Sequence, residues 1–276
     1  MLAHTIKIKD EEFFELKDII YKASAITFAE SKKYLLENRL SKRLQELNFD
    51  SFKEYIYYLK YDINRVKEMD TLLNLVTINE TYFLRERPQM DHLMKNTIPA
   101  ILAKGKKSIR IWSAACSTGE EPYSLAILLK ENALSARANY EIIGTDINTE
   151  VVDVAKKGVY RGMSFRGVPP NFQAAYFNPS ALTFEVKDEF KQRVRFQVAN
   201  LISPTLPAQM GKFDVIFCRN VLIYFDLDGK KKVLDMFYNC LNTPGYLYLG
   251  HSESTLKIEN KFTLQNFGTG VFHIKE

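Results

Sequence analysis

The chain has 276 residues, enough for one large or two moderate domains, and its 46% hydrophobic and 26% charged content is that of a soluble globular protein. No apolar run approaches the ~20 residues of a membrane span, and the opening MLAHTIKIKDEEFF carries acids where a signal peptide has its apolar core. The net charge of +5 forms no basic stripe interleaved with aromatics, and residues 1–76 carry thirteen side chains of each sign, which disfavours a dedicated nucleic-acid binder.

Residues 10–76 contain neither proline nor glycine and read as helices throughout. Phe13, Phe14, Leu16, Ile19 and Ile20 recur at helical spacing. A second helix is predicted over 31–47, with Leu36, Leu40, Leu44 and Leu47 on one side, a third over 51–59 and a fourth over 64–76. Residues 1–76 thus form a small helical N-terminal domain. A junction segment at 77–90 holds TINETYFLRER, dense in polar groups of defined geometry (Asn79, Thr81, Arg85). Phe83 and Leu84 beside Arg85 suggest that this segment folds over a site.

Past residue 100 the pattern changes to alternating strands and helices, the signature of an α/β domain over residues 91–276. Strands are predicted at 109–113, 141–145, 193–198, 213–217, 246–250, 262–266 and 271–274, and helices at 121–131, 150–157 and 229–241. The turn Gly268–Gly270 leaves no room for a crossover, so the last two strands pair antiparallel and place a reversed strand at the end of a mostly parallel sheet. This is a Rossmann-like methyltransferase architecture. Residues 160–192, with VPP, NP and a strand-like run at 182–186, interrupt the alternation as an inserted small β-subdomain. Cys116, Cys218 and Cys240 form no CxxC and no metal-ligand spacing, which suits reduced thiols, a cytoplasmic protein and no metal.

The run IRIWSAACSTGEEPYSLA (109–126) carries the chemistry furthest. A short strand passes through a small-residue turn at Ala114–Gly119, where a ligand must approach the backbone, into a helix whose free N–H groups point at that ligand. The turn is neither a Walker A loop nor GxGxxG. Glu120 and Glu121 stand where the phosphates of a nucleotide would lie, so the ligand is neutral or cationic there. S-adenosylmethionine fits. The helix dipole alone explains one of these two glutamates, and the other is a ligand contact. Asp146 closes the second strand, where it can accept hydrogen bonds from both ribose hydroxyls, while Asn148 and Thr149 are free to cap the next helix. Asn200 and Leu201 follow the third strand, where an amide and an apolar side chain suit an adenine ring. FDVIFCRNVLIYF ends a buried strand at Arg219–Asn220, on the carboxyl edge of the sheet, with Tyr224 just beyond. Arg219 requires a carboxylate partner, because an unpaired buried guanidinium is costly.

TINETYFLRE, IWSAACSTGEEPYSLA, IIGTDIN with the later KKGVY, RVRFQVANL, FDVIFCRNVLIYFD and LGHSES together resemble the chemotaxis receptor methyltransferases, the CheR family, over nearly the whole chain. The resemblance implies transfer of a methyl group from S-adenosylmethionine to receptor glutamates, giving methyl esters and S-adenosylhomocysteine, without a metal. Carried over, the cofactor contacts fall on Asn79, Thr81, Arg85, Glu121, Asp146, Asn200, Leu201, Arg219 and Asn220, with Glu121 selected over Glu120. Tyr224 is similar to a family tyrosine beside the transfer site, and Arg85 and Tyr224 become the residues shaping that site. The resemblance also turns Lys32, Arg39, Lys42 and Arg43, otherwise a solvated helix face, into a docking surface for the acidic helical coiled coil of a receptor. Tyr176–Val186 lacks the glycine-rich loop by which tethering members hold a receptor's C-terminal pentapeptide, so no tether is expected here. A monomer is expected, with no membrane insertion. A methyltransferase acting on nucleic acid or on another protein, and a catalytically silent cofactor-binding regulator, are the rival readings.

Overall fold

The computed structural model describes residues 5–268 and 270–276; residues 1–4 and Thr269, the centre of the Gly268–Gly270 turn, lie outside the described residues. The chain divides into two compact units, one made of residues up to 78 with 224–229, the other of 79–223 with 230–276.

The first unit holds α1 (Asp10–Ser24), α2 (Lys33–Glu46), α3 (Phe52–Tyr61) and α4 (Arg65–Val76). Acidic Asp10, Glu11 and Glu12 open α1 at its free N–H end, and the Glu12 carboxylate accepts from Lys9 N at 2.8 Å. Ser51 caps α3 by accepting from Glu54 N. Phe13, Leu16 and Ile20 bury one face of α1, and Leu36, Leu40 and Leu44 one face of α2. Phe14 does not join them, lying 48% exposed, because adjacent helical residues point about 100° apart. Residues 224–229 belong to this unit through their own bonds. The Tyr224 carbonyl accepts from both N and Oγ1 of Thr27 at 2.9 Å, and the Tyr21 hydroxyl donates to Asp226.

The second unit opens with α5 (Arg87–His92), a π turn (Leu93–Thr97) and α6 (Ile98–Ala103), then β1 (Ser108–Ala114), α7 (Glu120–Glu131), β2 (Asn139–Asp146) and α8 (Thr149–Lys157). The insertion follows as β3 (Val159–Tyr160), α9 (Phe172–Tyr176), β4 (Phe177–Ser180), β5 (Thr183–Val186) and α10 (Asp188–Lys191). The main sheet resumes with β6 (Val194–Val198), α11 (Leu206–Met210), β7 (Phe213–Cys218), α12 (Leu227–Cys240, of which residues 230–240 belong to this unit), β8 (Leu241–Leu249), β9 (Thr263–Phe267) and β10 (Gly270–Lys275).

Seven strands pair in the order β6-β2-β1-β7-β8-β10-β9. Among the described strands β10 runs opposite to the other six. The reversed strand is therefore last in the chain but not at the sheet's end, since β9 takes that edge. Register aligns the carboxyl ends: Ala114 lies beside Thr145 and Cys218, Asp146 beside Val198, and Cys218 beside Leu249. The segments that leave these strands consequently emerge along one edge. β8 starts five residues before the predicted Tyr246, since Asn242–Gly245 resembles a turn in sequence yet continues the strand from Leu241. The insertion forms a separate antiparallel sheet, β3-β5-β4. Its aromatics enclose Phe83 of the junction segment, whose ring meets Tyr160, Phe165, Phe172 and Phe177 within 4.9–5.9 Å. None of the helices among the described residues is long and apolar enough to cross a membrane.

Candidate functional site

Between β1 and α7 the backbone of Ala115, Ser117 and Gly119 takes positive φ, so the loop curls tightly before the helix. Glycine at 119 (φ +92) answers a packing need: an added Cβ would stand 2.8 Å from the Ala155 Cβ and 3.0 Å from the Phe196 ring. The close approach that excludes a side chain at this one position is made by α8 and β6.

Asp146 holds this loop to the end of β2. Its Oδ2 accepts from Ser117 N at 2.8 Å and its Oδ1 from Asn148 N at 3.0 Å. Burial pushes the Asp146 carboxyl above its ordinary value, while the backbone N–H groups pull the other way by favouring the ionised form. Each oxygen keeps further acceptor capacity. Capping of α8 falls to Asn148, which accepts from Glu150 N and Val151 N and leaves Asp146 out of that role.

The two glutamates at the start of α7 point to different partners. Glu121 Oε1 accepts from the Ser113 hydroxyl at 2.7 Å and Oε2 from Arg219 Nε at 2.6 Å. Glu120 instead accepts from the hydroxyls of Thr118 and Ser164, tying the loop to the insertion, and burial raises its pKa. Arg219, expected to need a carboxylate, has Glu121, and its Nη1 also donates to the Arg85 carbonyl at 2.9 Å and to Gln89 Oε1 at 3.3 Å. With a side chain only 2% exposed, the guanidinium joins β7, α7 and the junction segment in one buried network.

The junction segment is anchored, not extended in water. Phe83 and Leu84 are buried, Phe83 N donates to the Ser164 carbonyl at 2.9 Å and Leu84 N to Ser124 Oγ at 3.0 Å. Leu84 and Glu86 take positive φ, and Arg85 between them is half-buried. Arg85 Nη1 donates to the Glu80 carbonyl at 2.6 Å. The Asn79 carbonyl accepts from Ser117 Oγ at 2.9 Å, and Thr81 is half-buried. Asn200 Oδ1 accepts from Ile202 N at 3.2 Å in the turn after β6, with Leu201 buried beside it. Asn220 Nδ2 donates to Glu86 Oε1 at 3.1 Å.

Asn79, Thr81, Arg85, Glu121, Asp146, Asn200, Leu201, Arg219 and Asn220 therefore all belong to the second unit, on its sheet edge and the segment bonded to it. Tyr224 belongs to the first. Of the basic side chains on α2 and the turn before it, Arg43 is engaged within the bundle, its Nε and Nη2 gripping the buried Glu68 carboxylate at 2.9 and 2.5 Å. Arg39 Nη1 donates to the Val76 carbonyl, and Lys32 and Lys42 are exposed. Sequence reasoning passed over Glu86, Gln89 and Glu253. The available signals were the position of Glu86 directly after Arg85 and that of Glu253 just past the end of β8. Among the described residues no group of three or more His, Cys, Asp or Glu side chains could hold a metal ion.

Residues 79–271 match the CheR methyltransferase S-adenosylmethionine-binding domain, and residues 11–77 match the CheR all-alpha domain. The chain belongs to the CheR methyltransferase family. Its family relatives include chemotaxis protein methyltransferase 2 of Vibrio cholerae, 36% identical with 95% of this chain and 92% of that protein aligned. The chemotaxis protein methyltransferase of Borreliella burgdorferi is 37% identical over 90% of each chain. That of Escherichia coli is 33% identical over 96% of this chain and 91% of its own. The CheR architecture of an all-α domain followed by a seven-stranded methyltransferase sheet is the one described above.

Proposed function

We propose that this CheR family member methylates glutamate side chains on the cytoplasmic coiled coil of chemotaxis receptors, forming methyl esters for sensory adaptation. The observation that carries this reading is the match of both domains to chemotaxis methyltransferases, at 36% identity over 95% of the chain for the Vibrio cholerae relative. The residues at the carboxyl edge fit S-adenosylmethionine. Asp146 takes backbone N–H groups on both oxygens and still has acceptor capacity for ribose hydroxyls. No lysine or arginine stands in the turn at Ala114–Gly119 to demand a phosphate. Asn200 and Leu201 would hold the adenine end, and Arg85, Arg219 and Asn220 the amino-acid end.

The bound cofactor supplies an electrophilic methyl carbon on a sulfonium. The accepting glutamate has an ordinary pKa near ~4.3 and is already ionised at neutral pH, so the enzyme needs no general base. What its residues supply is alignment of a carboxylate oxygen behind the methyl carbon, with water excluded. Arg85 is assigned to shape that approach.

Docking on the receptor is assigned to the α2 face, with Lys32 and Lys42 outermost and Arg39 and Arg43 beside them. Capture of a receptor's C-terminal pentapeptide is not part of this reading. The free edges of the small sheet support that: β4 has only four residues and includes Pro179, which has no N–H to donate to an added strand, while β3 has two residues. Labelled cofactor incubated with receptor-bearing membranes tests the proposal. Label released as methanol by mild alkali supports a methyl ester, alkali-stable label points to nitrogen or nucleic-acid methylation, and cofactor binding with no transfer points to a silent regulator.

A further inference from the structure

Glu253 lies in the turn just after β8, where its side chain is buried. Its Oε2 accepts from Asn220 N at 2.8 Å and from Gly250 N at 2.6 Å. Its Oε1 accepts from Val221 N at 2.8 Å and Leu222 N at 2.6 Å. Four backbone N–H groups from two chain segments thus converge on one carboxylate. An ionised carboxylate has about four acceptor sites and no donor, a combination that no neutral side chain of this size offers.

The segment held this way is unusual. Asn220 has φ 61°, a left-handed conformation that costs an L residue energy unless its surroundings impose it. Three consecutive N–H groups, from Asn220 to Leu222, leave β7 aimed at the same two oxygens. Gly250 is fitted to the arrangement: a Cβ there would come 2.7 Å from Glu253 Oε2 and 2.9 Å from Asn220 N. With its backbone fixed, Asn220 reaches Glu86 Oε1 through its side-chain amide, so the residue is held from two sides.

We propose that Glu253 is a positioning residue for cofactor binding, acting through Asn220 by fixing the left-handed turn after β7. This rests on the assignment of Asn220 as a cofactor contact. The carboxylate adds, to asparagine's own tolerance of the left-handed turn, hydrogen bonds delivered from the next strand's end. Its removal should disorder the Asn220–Leu222 turn while leaving the strands intact.

Calorimetric titration with S-adenosylhomocysteine of the wild type, E253Q, N220A and the double variant tests this. E253Q should melt cooperatively, raise the dissociation constant about tenfold or more, and expose the Asn220–Leu222 amides to hydrogen exchange while β7 stays protected. The double variant should bind no more weakly than the weaker of the two single variants, since both act through one side chain. Wild-type affinity in E253Q beside a weakened N220A overturns the proposal alone, as do multiplicative effects in the double variant. Wild-type affinity in N220A removes the Asn220 contact and the proposal with it. Should E253Q fail to fold, G250A decides: crowding the carboxylate without removing it should weaken binding, and unchanged affinity overturns the proposal.

Discussion

At Asp146 one carboxylate serves both the loop it holds and the ligand it is assigned to. Asp146→Ala should weaken S-adenosylmethionine binding by about 1–3 kcal/mol, the range for losing hydrogen bonds to a charged group, as read by calorimetry on folded protein. Unchanged affinity would remove the ribose assignment. The pH dependence follows from burial, which raises this carboxyl's pKa. On acidification Asp146 takes up its proton at a higher pH than an exposed aspartate, and a neutral carboxyl offers ribose hydroxyls fewer acceptor sites. Cofactor affinity should therefore fall on acidification, starting above the ordinary carboxylate range. In the empty protein the sign reverses: with a raised folded-state pKa, the stability tied to the protonated form is present below the unfolded value and lost as pH rises through the folded one. Asp146→Asn should bind weakly at every pH, without the acid limb. At this scale the sequence was informative wherever cost forces a partner, as for Arg219, which demanded a carboxylate. Glu253 offered only its place just past the end of β8, because its partners are backbone N–H groups brought together by the register of β7 and β8.

Among the elements, strand and helix identities followed from apolar periodicity, while the departures have local causes. Residues 87–103 form an almost continuous helix that Pro88 and Pro99 conceal, each lying at the start of a helical segment where its missing N–H is tolerated. The π turn lies immediately before the segment carrying Pro99. On α2 the basic stripe reads as a solvated or docking face, but Arg43 is engaged with Glu68, a carboxylate 3% exposed. Arg43→Ala should cost about 2–3 kcal/mol in denaturant unfolding, below the full cost of stripping a buried pair because the arginine is itself 25% exposed. A loss under half a kilocalorie would show that water reaches Glu68 easily. Docking is better tested by Lys32→Glu with Lys42→Glu, which avoid that pair. The double change should raise the Michaelis constant for receptor and leave cofactor affinity unchanged; normal receptor methylation would return the stripe to a solvated face. Phe83, enclosed by four aromatic rings, joins the junction segment to the insertion. Phe83→Ala should destabilise by about 3–5 kcal/mol and weaken cofactor binding in the same variant, read by unfolding and calorimetry.

For the whole molecule, the alternation of strands and helices past residue 100 and the tight closing turn made the seven-stranded sheet legible, including the antiparallel pairing of its last two strands. The place of β10 between β8 and β9 was not legible, because a hairpin can add from either side and only pairing decides which strand takes the edge. The insertion gave its presence but only one of its three strands, since β3 has two residues and β4, as short as β5, contains Pro179, which argues against a strand in sequence. Its poor edges lead to a molecular prediction: receptors with and without a C-terminal pentapeptide should be methylated at equal rates. Free pentapeptide should show no binding up to about a millimolar, the effective concentration a tether would provide. A micromolar isotherm would show that another surface captures the tail. The central claim, methyl transfer to glutamate carboxylates of a receptor, is tested most directly by mass spectrometry of receptor peptides after incubation with cofactor. The account predicts a single methyl increment localised by fragmentation to glutamate side chains and lost in mild alkali. A methyl retained in alkali on lysine, on a chain terminus or on nucleic acid in the same membranes, with unmodified glutamates, would contradict it.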